Sequence, residues 1–149
     1  MARKATLISN PKTGRYASRR SRPIEELASK LESLGIAVDL RLTTAPGEAT
    51  QIAARAARNG SSEIIVAGGD GTINEAIQGL AGTKARLAII PRGTGNVLAR
   101  ELGLPLDDAQ AIAVAAKGKS RKIYLGLAIN ETTNERRHFV LMAGIGLDA

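Results

Sequence analysis

Cysteine and tryptophan are absent from all 149 residues of the chain. Without thiols there is neither a disulfide framework nor a thiolate metal site, which suits a reducing compartment. Aromatic side chains are nearly absent too, with only Tyr16, Tyr124 and Phe139. So few rings leave few platforms for stacking single-stranded bases, and nucleic acid is not an expected partner. No run of about eighteen apolar residues occurs, so no membrane-spanning helix is expected. The basic start MARKATLISNPKTG lacks a long apolar stretch, and no signal peptide is expected. Acidic residues are missing before Glu25, where Arg3, Lys4, Lys12, Arg15, Arg19, Arg20 and Arg22 supply every charge. That uneven share of a net charge of +7 suits phosphates or an anionic bilayer, or else a solvated basic face.

What is present is a regular alternation of short apolar runs and helical stripes, in a length that suits one domain with a real core. Strands are expected at Ala5 to Ser9, Ile36 to Thr43, Glu63 to Ala67 and Arg86 to Ile90. Helices are expected at Ile24 to Leu34, Glu48 to Arg58 and Thr72 to Leu80, with shorter ones at Val97 to Leu102 and Asp107 to Ala116. This order predicts an α/β fold, a doubly wound parallel sheet. After Gly118 the pattern changes. Ile123 to Ile129 and His138 to Ala143 read as a hairpin about a polar turn, the first strands of a β-rich second domain. The expected division is 1–118 and 119–149.

Three loops follow strand ends, where ligands of such sheets bind. Gly68-Gly69-Asp70-Gly71-Thr72 lies between a buried strand and a helix. Its glycines would permit positive φ and close backbone approach to a polyphosphate, with the helix N-terminus favouring the anion. Asp70 would repel phosphate, so its sensible tasks are holding Mg²⁺ or taking a proton from an attacking hydroxyl. Thr72 and Glu75 also have the spacing of a capping box, and the loop could be no more than a tight turn. Pro91-Arg92-Gly93-Thr94-Gly95-Asn96 repeats the arrangement, and Asn10-Pro11-Lys12-Thr13-Gly14 follows the first strand. There is no G-x-x-x-x-G-K-[ST], no G-x-G-x-x-G after the first strand and no G-x-S-x-G. The single histidine, His138, has no carboxylate neighbour at ligand spacing and reads as a surface or interface residue.

In order, NPKTG, Thr43 with Gly47, GGDGTINE, PRGTGN running into Leu98-Ala99-Arg100, and the terminal AGIGLDA resemble the diacylglycerol kinase catalytic-domain family of lipid kinases. GGDGT alone is shared with NAD kinases, but Asn-Glu after it and the P-x-G-T-x-N box favour the lipid kinases. The resemblance implies ATP binding by Asn10, Pro11, Lys12, Thr13, Gly14, Thr43, Gly68, Gly69, Asp70, Gly71, Thr72, Ile73, Asn74, Glu75, Gly93, Thr94 and Asn96. It implies transfer of the γ-phosphoryl to a lipid hydroxyl, such as that of diacylglycerol, with Mg²⁺. Asp70 would then be the catalytic carboxylate, and the only metal contact expected is through Mg-ATP. A cytoplasmic enzyme in peripheral contact with a membrane is the matching expectation, with a homo-oligomer left open. One position departs from the family pattern: Tyr124 stands in Ile123-Tyr124-Leu125 where an aspartate is expected. Similar proteins are about twice this length and carry further catalytic groups downstream. The chain is therefore expected to be part of a kinase and inactive alone. The alternatives are an NAD kinase-like enzyme and a non-catalytic nucleotide-binding module.

Overall fold

Four apolar runs form the middle of the molecule, described here by a computed structural model over residues 3–12 and 22–141. They are the strands β1 (Arg3–Ser9), β2 (Ile36–Leu42), β3 (Glu63–Gly68) and β4 (Arg86–Pro91). All pair in parallel, in the order β2-β1-β3-β4. Every residue of β3 is buried, because a central parallel strand has a covered face on each side. Alternate side chains then feed separate cores. Leu7, Ile65, Ala67 and Ile90 point to one, and Ile8, Ile64, Val66 and Ile89 to the other.

Helices α1 (Ile24–Ser33), α2 (Glu48–Arg58), α3 (Asp70–Leu80), α4 (Val97–Glu101) and α5 (Asp108–Lys117) complete both layers. Ile24, Leu27 and Leu31 recur at helical spacing and bury one stripe of α1 beside Ala111, Ile112 and Ala115 of α5. The opposite layer holds Ala49 and Ala53 of α2, Ile73, Ala76 and Ile77 of α3, and Leu98 of α4. Each fully buried Leu or Ile contributes roughly 1.5–3 kcal/mol relative to exposure. Helix α1 stops where Gly35 takes φ 86°, donating its N–H to the Glu32 carbonyl at 2.9 Å. Helix α5 starts on Asp107, whose side chain accepts the Gln110 N–H at 3.0 Å.

The chain leaves β1 toward one face, with α1, and leaves β3 toward the other, with α3. Where neighbouring strands part in this way, their carboxyl ends are the usual ligand position of such sheets. Near the start of β3, Glu63 is 3% exposed, a burial that requires a partner. Arg3 supplies it through a two-pronged contact with the carboxylate and bonds to the Ala115 and Ala116 carbonyls. The Glu63 bond, the larger cause, and the nearby negative charge hold the guanidinium more firmly protonated, against the opposing effect of burial.

Beyond α5 a separate antiparallel pair forms, β5 (Gly126–Ile129) and β6 (Arg136–Phe139). The expected hairpin is present but shorter and shifted. The turn closes with the Asn130 N–H on the Glu135 carbonyl at 2.9 Å, so Ile129 meets Arg136 and pairing begins two residues before His138. Residues 123–125 lie outside the pairing. The third helix also differs from expectation. It starts at Asp70, two residues before Thr72, which places the aspartate inside the first helical turn.

Helices α2 and α3 lie so close that a Cβ on Gly79 would stand 2.3 Å from the Thr50 carbonyl oxygen. In an open helix Ala is favoured over Gly by up to about 1 kcal/mol. Here Gly79→Ala is expected to cost about 1–3 kcal/mol, because the helices must separate. Urea unfolding of the two proteins measures the sign, and a more stable variant would refute this packing.

Candidate functional site

Because all four strands run the same way, their carboxyl ends bring Asn10, Thr43, Gly68 and Pro91 to one edge. Asn10 folds its Oδ1 back onto the Lys12 N–H at 2.9 Å, an Asx turn that carries Pro11 and Lys12 out of the sheet. Thr43 is buried and continues the ladder, donating its N–H to the Ser9 carbonyl at 2.9 Å. Ser9, which sequence reasoning left out, is the buried last residue of β1 and donates its hydroxyl to the Ala67 carbonyl of β3 at 2.8 Å. Thr13 and Gly14 lie outside the described residues, as do Arg15, Arg19, Arg20 and the terminal AGIGLDA segment.

The loop glycines do not take the left-handed conformation expected of them. None of Gly68, Gly69, Gly71, Gly93 and Gly95 has positive φ; among the described residues the glycines that do are Gly35, Gly47, Gly60, Gly82 and Gly103. What the first two loops require is contact with each other. A Cβ on Gly93 would stand 2.5 Å from the Gly69 Cα, and one on Gly69 would stand 3.0 Å from the Gly93 Cα. Gly68 is crowded by the buried Thr72 side chain, at 3.1 Å. Gly71 differs from all of these: a Cβ there meets nothing within 4 Å.

Asp70 joins the loops by hydrogen bonds. Its Oδ2 accepts the Val97 N–H and its Oδ1 the Leu98 N–H, both at 3.0 Å. Helix α4 needs this help, because its own cap residue, Asn96, sits at φ 50° and spends its side chain elsewhere. The Asn96 amide accepts the Gly93 N–H and donates to the Gly93 carbonyl, each at 2.8 Å, stapling PRGTGN into shape while almost fully buried. Asp70 is thus a helix cap supplied from the neighbouring loop. Thr94 remains exposed at the tip.

The capping box read at Thr72 and Glu75 does not form, since the helix has already begun at Asp70. Ile73 is a core residue. Glu75 turns to another helix, its Oε2 accepting the Ala49 N–H at 3.3 Å in the first turn of α2, while Thr50 donates its hydroxyl to the Glu75 carbonyl at 2.8 Å. The loop before α2 closes on Glu48, which accepts the Thr44 and Ala45 N–H groups. The Thr44 bond is the main cause holding the Glu48 carboxyl below its usual range, with burial opposing and Ala45 adding.

A cleft of about 340 Å³ opens beside these loops, between Asp70, Asn74 and Leu98 on one wall and Arg137, Phe139 and Leu141 on the other. The hairpin wall was not legible as part of a site. A second groove, about 290 Å³, lies among Lys4, Thr6, Asn59 and Ser61, where β1 and β3 begin. Arg92, also missed, is 1% exposed. It lies 3.5 Å from the Asp108 carboxylate and donates to the Arg22 carbonyl at 2.5 Å, tying PRGTGN to the entrance of α1. Among the described residues no group of three His, Cys, Asp or Glu side chains is placed to hold a metal ion.

Residues 4–128 match the family described as the diacylglycerol kinase catalytic domain. A diacylglycerol kinase of Staphylococcus saprophyticus is 38% identical over 128 residues, covering 85% of this chain and 41% of that protein. One of Bacillus subtilis is 36% identical over 147 residues, covering 97% of this chain and 46% of that protein. A crystal structure of a diacylglycerol kinase from Bacillus anthracis superposes with a TM-score of 0.64 at 33% identity, covering 76% of this chain and 43% of that one. The chain therefore spans less than half the length of these relatives, and its fold matches that of the Bacillus anthracis structure over the part covered.

The Asp70 bridge carries an energetic consequence. Asn at this position keeps one acceptor but sets an NH₂ group against the second helix N–H. Asp70→Asn is expected to lose about 1–2 kcal/mol of stability, a typical value for a lost cap. Chemical denaturation checks this, and unchanged stability would show that the bridge contributes nothing.

Proposed function

Because the chain belongs to the diacylglycerol kinase catalytic-domain family, we propose that it is the nucleotide-binding part of an ATP-dependent lipid kinase. Residues 1–118 form the nucleotide unit in this reading, and 119–149 belong to a β-rich unit facing the acceptor. The observation that supports it best is Gly71, held open beside a loop pair that is otherwise packed backbone to backbone. A polyphosphate lying there would meet the first-turn N–H groups of α3, whose cap, Gly69, has no side chain to satisfy them.

The neighbouring cleft supplies the second half of the argument. Its walls carry Ile73, Leu98, Phe139 and Leu141, which suit an acyl chain, beside the polar Asp70 and Asn74. Transfer would join the lipid hydroxyl oxygen to the γ-phosphorus, break the bond from that phosphorus to the oxygen retained by ADP, and release the hydroxyl proton. Chemistry of this kind depends chiefly on positioning and on stabilising charge. Asp70 is the carboxylate at the junction of loops and cleft. Its oxygens keep a free lone pair each after accepting their N–H groups, enough to contact Mg²⁺ or to receive the proton. In this reading Mg²⁺ is held mainly by phosphate oxygens, beside Asp70.

Peripheral membrane contact is part of the same proposal, since a diacylglycerol-like acceptor resides in a bilayer. Among the described residues no helix is long and apolar enough to cross a membrane. Arg15, Arg19 and Arg20, in the segment that carries no acidic residue before Glu25, are the charges proposed to dock. Each can add about 1 kcal/mol near an anionic surface. Replacing these three by Gln should weaken binding to anionic vesicles at low salt. Equal binding of parent and variant would remove the segment from this role.

Gly71→Ala tests the nucleotide site with opposite signs for stability and binding. The residue lies in the first turn of α3 at ordinary φ, so Ala is expected to hold or raise stability, by up to about 1 kcal/mol. The added methyl occupies the space assigned to phosphate and should weaken Mg-ATP binding by about tenfold or more. Calorimetric titration together with urea unfolding reads both. Unimpaired ATP binding would overturn the site assignment. In a longer kinase, a phosphorylation assay with diacylglycerol and NAD as rival acceptors separates the lipid reading from an NAD kinase.

A further inference from the structure

Among the described residues, the hydrogen bonds that join the β5–β6 hairpin to the nucleotide unit come from one side chain, Gln78, acting as a strand would. Gln78 lies one helical turn beyond Asn74 on α3. Its Oε1 accepts the His138 N–H at 2.8 Å, and its Nε2 donates to the His138 carbonyl at 2.8 Å. These are the two bonds that a residue of a neighbouring antiparallel strand would make. The same Nε2 also approaches the Asn74 carbonyl and Oδ1, at 3.2 and 3.4 Å. One amide thus links the helix carrying Asp70 and Asn74 to the strand carrying Arg137 and Phe139, and both sets of residues line the cleft. Leu125 and Val140 add apolar contact with the core, but such contact is non-directional and does not set a register.

We propose that Gln78 is a positioning residue that fixes the register and distance of the hairpin against α3, and so determines which acceptor the cleft admits. The identity of that acceptor rests on the lipid-kinase reading; the clasp itself does not. The chemistry asks for glutamine. Glutamate loses the donor and sets a negative charge against the His138 carbonyl. Asparagine is one methylene short, and leucine fills the space without either bond.

Hydrogen exchange of the His138 amide in the 149-residue chain, with the Ile65 amide of β3 as a core reference, tests the clasp. In Gln78→Glu and Gln78→Leu at neutral pH, His138 should exchange at least about tenfold faster than in the parent, with Ile65 unchanged. As pH falls through the ordinary glutamate range near about 4.3, the protonated acid regains one donor and one acceptor. His138 protection relative to the parent should then return in Gln78→Glu and stay lost in Gln78→Leu. The ionisable groups at the cleft, Asp70, Arg137 and His138, are common to both variants, so the difference isolates the new carboxyl.

The binding arm uses dioctanoylglycerol and Mg-ATP. The Leu variant should lose about tenfold in affinity for the lipid and none for ATP. Unchanged His138 exchange in both variants, or an equal rise at Ile65, would overturn the clasp. Equal dioctanoylglycerol affinity in parent and Leu variant would overturn its role in acceptor selection. A parent that binds ATP but no dioctanoylglycerol would instead overturn the lipid reading and with it the acceptor role, while the exchange result still judges the clasp.

Discussion

Two peptide backbones that touch where neither has a side chain organise this site. Gly69 and Gly93 approach so closely that a single methyl on Gly93 would stand 2.5 Å from the opposing Cα. The approach follows from the sheet: Gly68 pairs with Pro91, and the Arg92 N–H continues the ladder onto the Gly68 carbonyl at 2.9 Å. The loops therefore leave neighbouring strands at the same level. Contact at that level puts the Asp70 carboxylate in reach of α4, whose first N–H groups it caps. Strand register, glycine contact and cross-loop cap are successive consequences of one geometry.

That cap divides the work between the loops. The short helix after PRGTGN has Val97 and Leu98 already bonded to a carboxylate, so its N-terminus is committed inside the protein. The GGDGT loop keeps an open position at Gly71 and a helix start with no side-chain cap. An anion is thus better served by α3 than by α4. In the proposed reading Asp70, bonded to α4, borders the space given to phosphate, where a cation accompanying the nucleotide would relieve repulsion.

The cleft depends on a different kind of contact. The four-stranded unit has the redundancy of a sheet packed on both faces. The hairpin has two strands, and such a pair is marginal without something to pack on. Its link to α3 through Gln78 is directional, and its apolar contacts through Leu125 and Val140 are not. In the proposed reading, acceptor choice is accordingly the property most open to change by substitution far from the loops after β3 and β4.

Much of the fold was legible because its causes are local. The run Glu63 to Ala67 reads as a buried strand and is one, and the stripe Ile24, Leu27, Leu31 reads as one face of a helix. Alternation of these units dictates a parallel sheet, and the glycine-rich stretches after its strands gather at one edge. Sequence spacing has no access to partners distant along the chain. It could not show that the glycines serve loop contact at ordinary φ, or that Asp70 caps a helix 27 residues away. Glu75 reaching α2 and Gln78 reaching His138, 60 residues on, were equally hidden. Residue type and periodicity determined the elements and their order, because each answers to its immediate neighbours. Which side chain meets which was decided only when strand register and helix packing had set those elements in space.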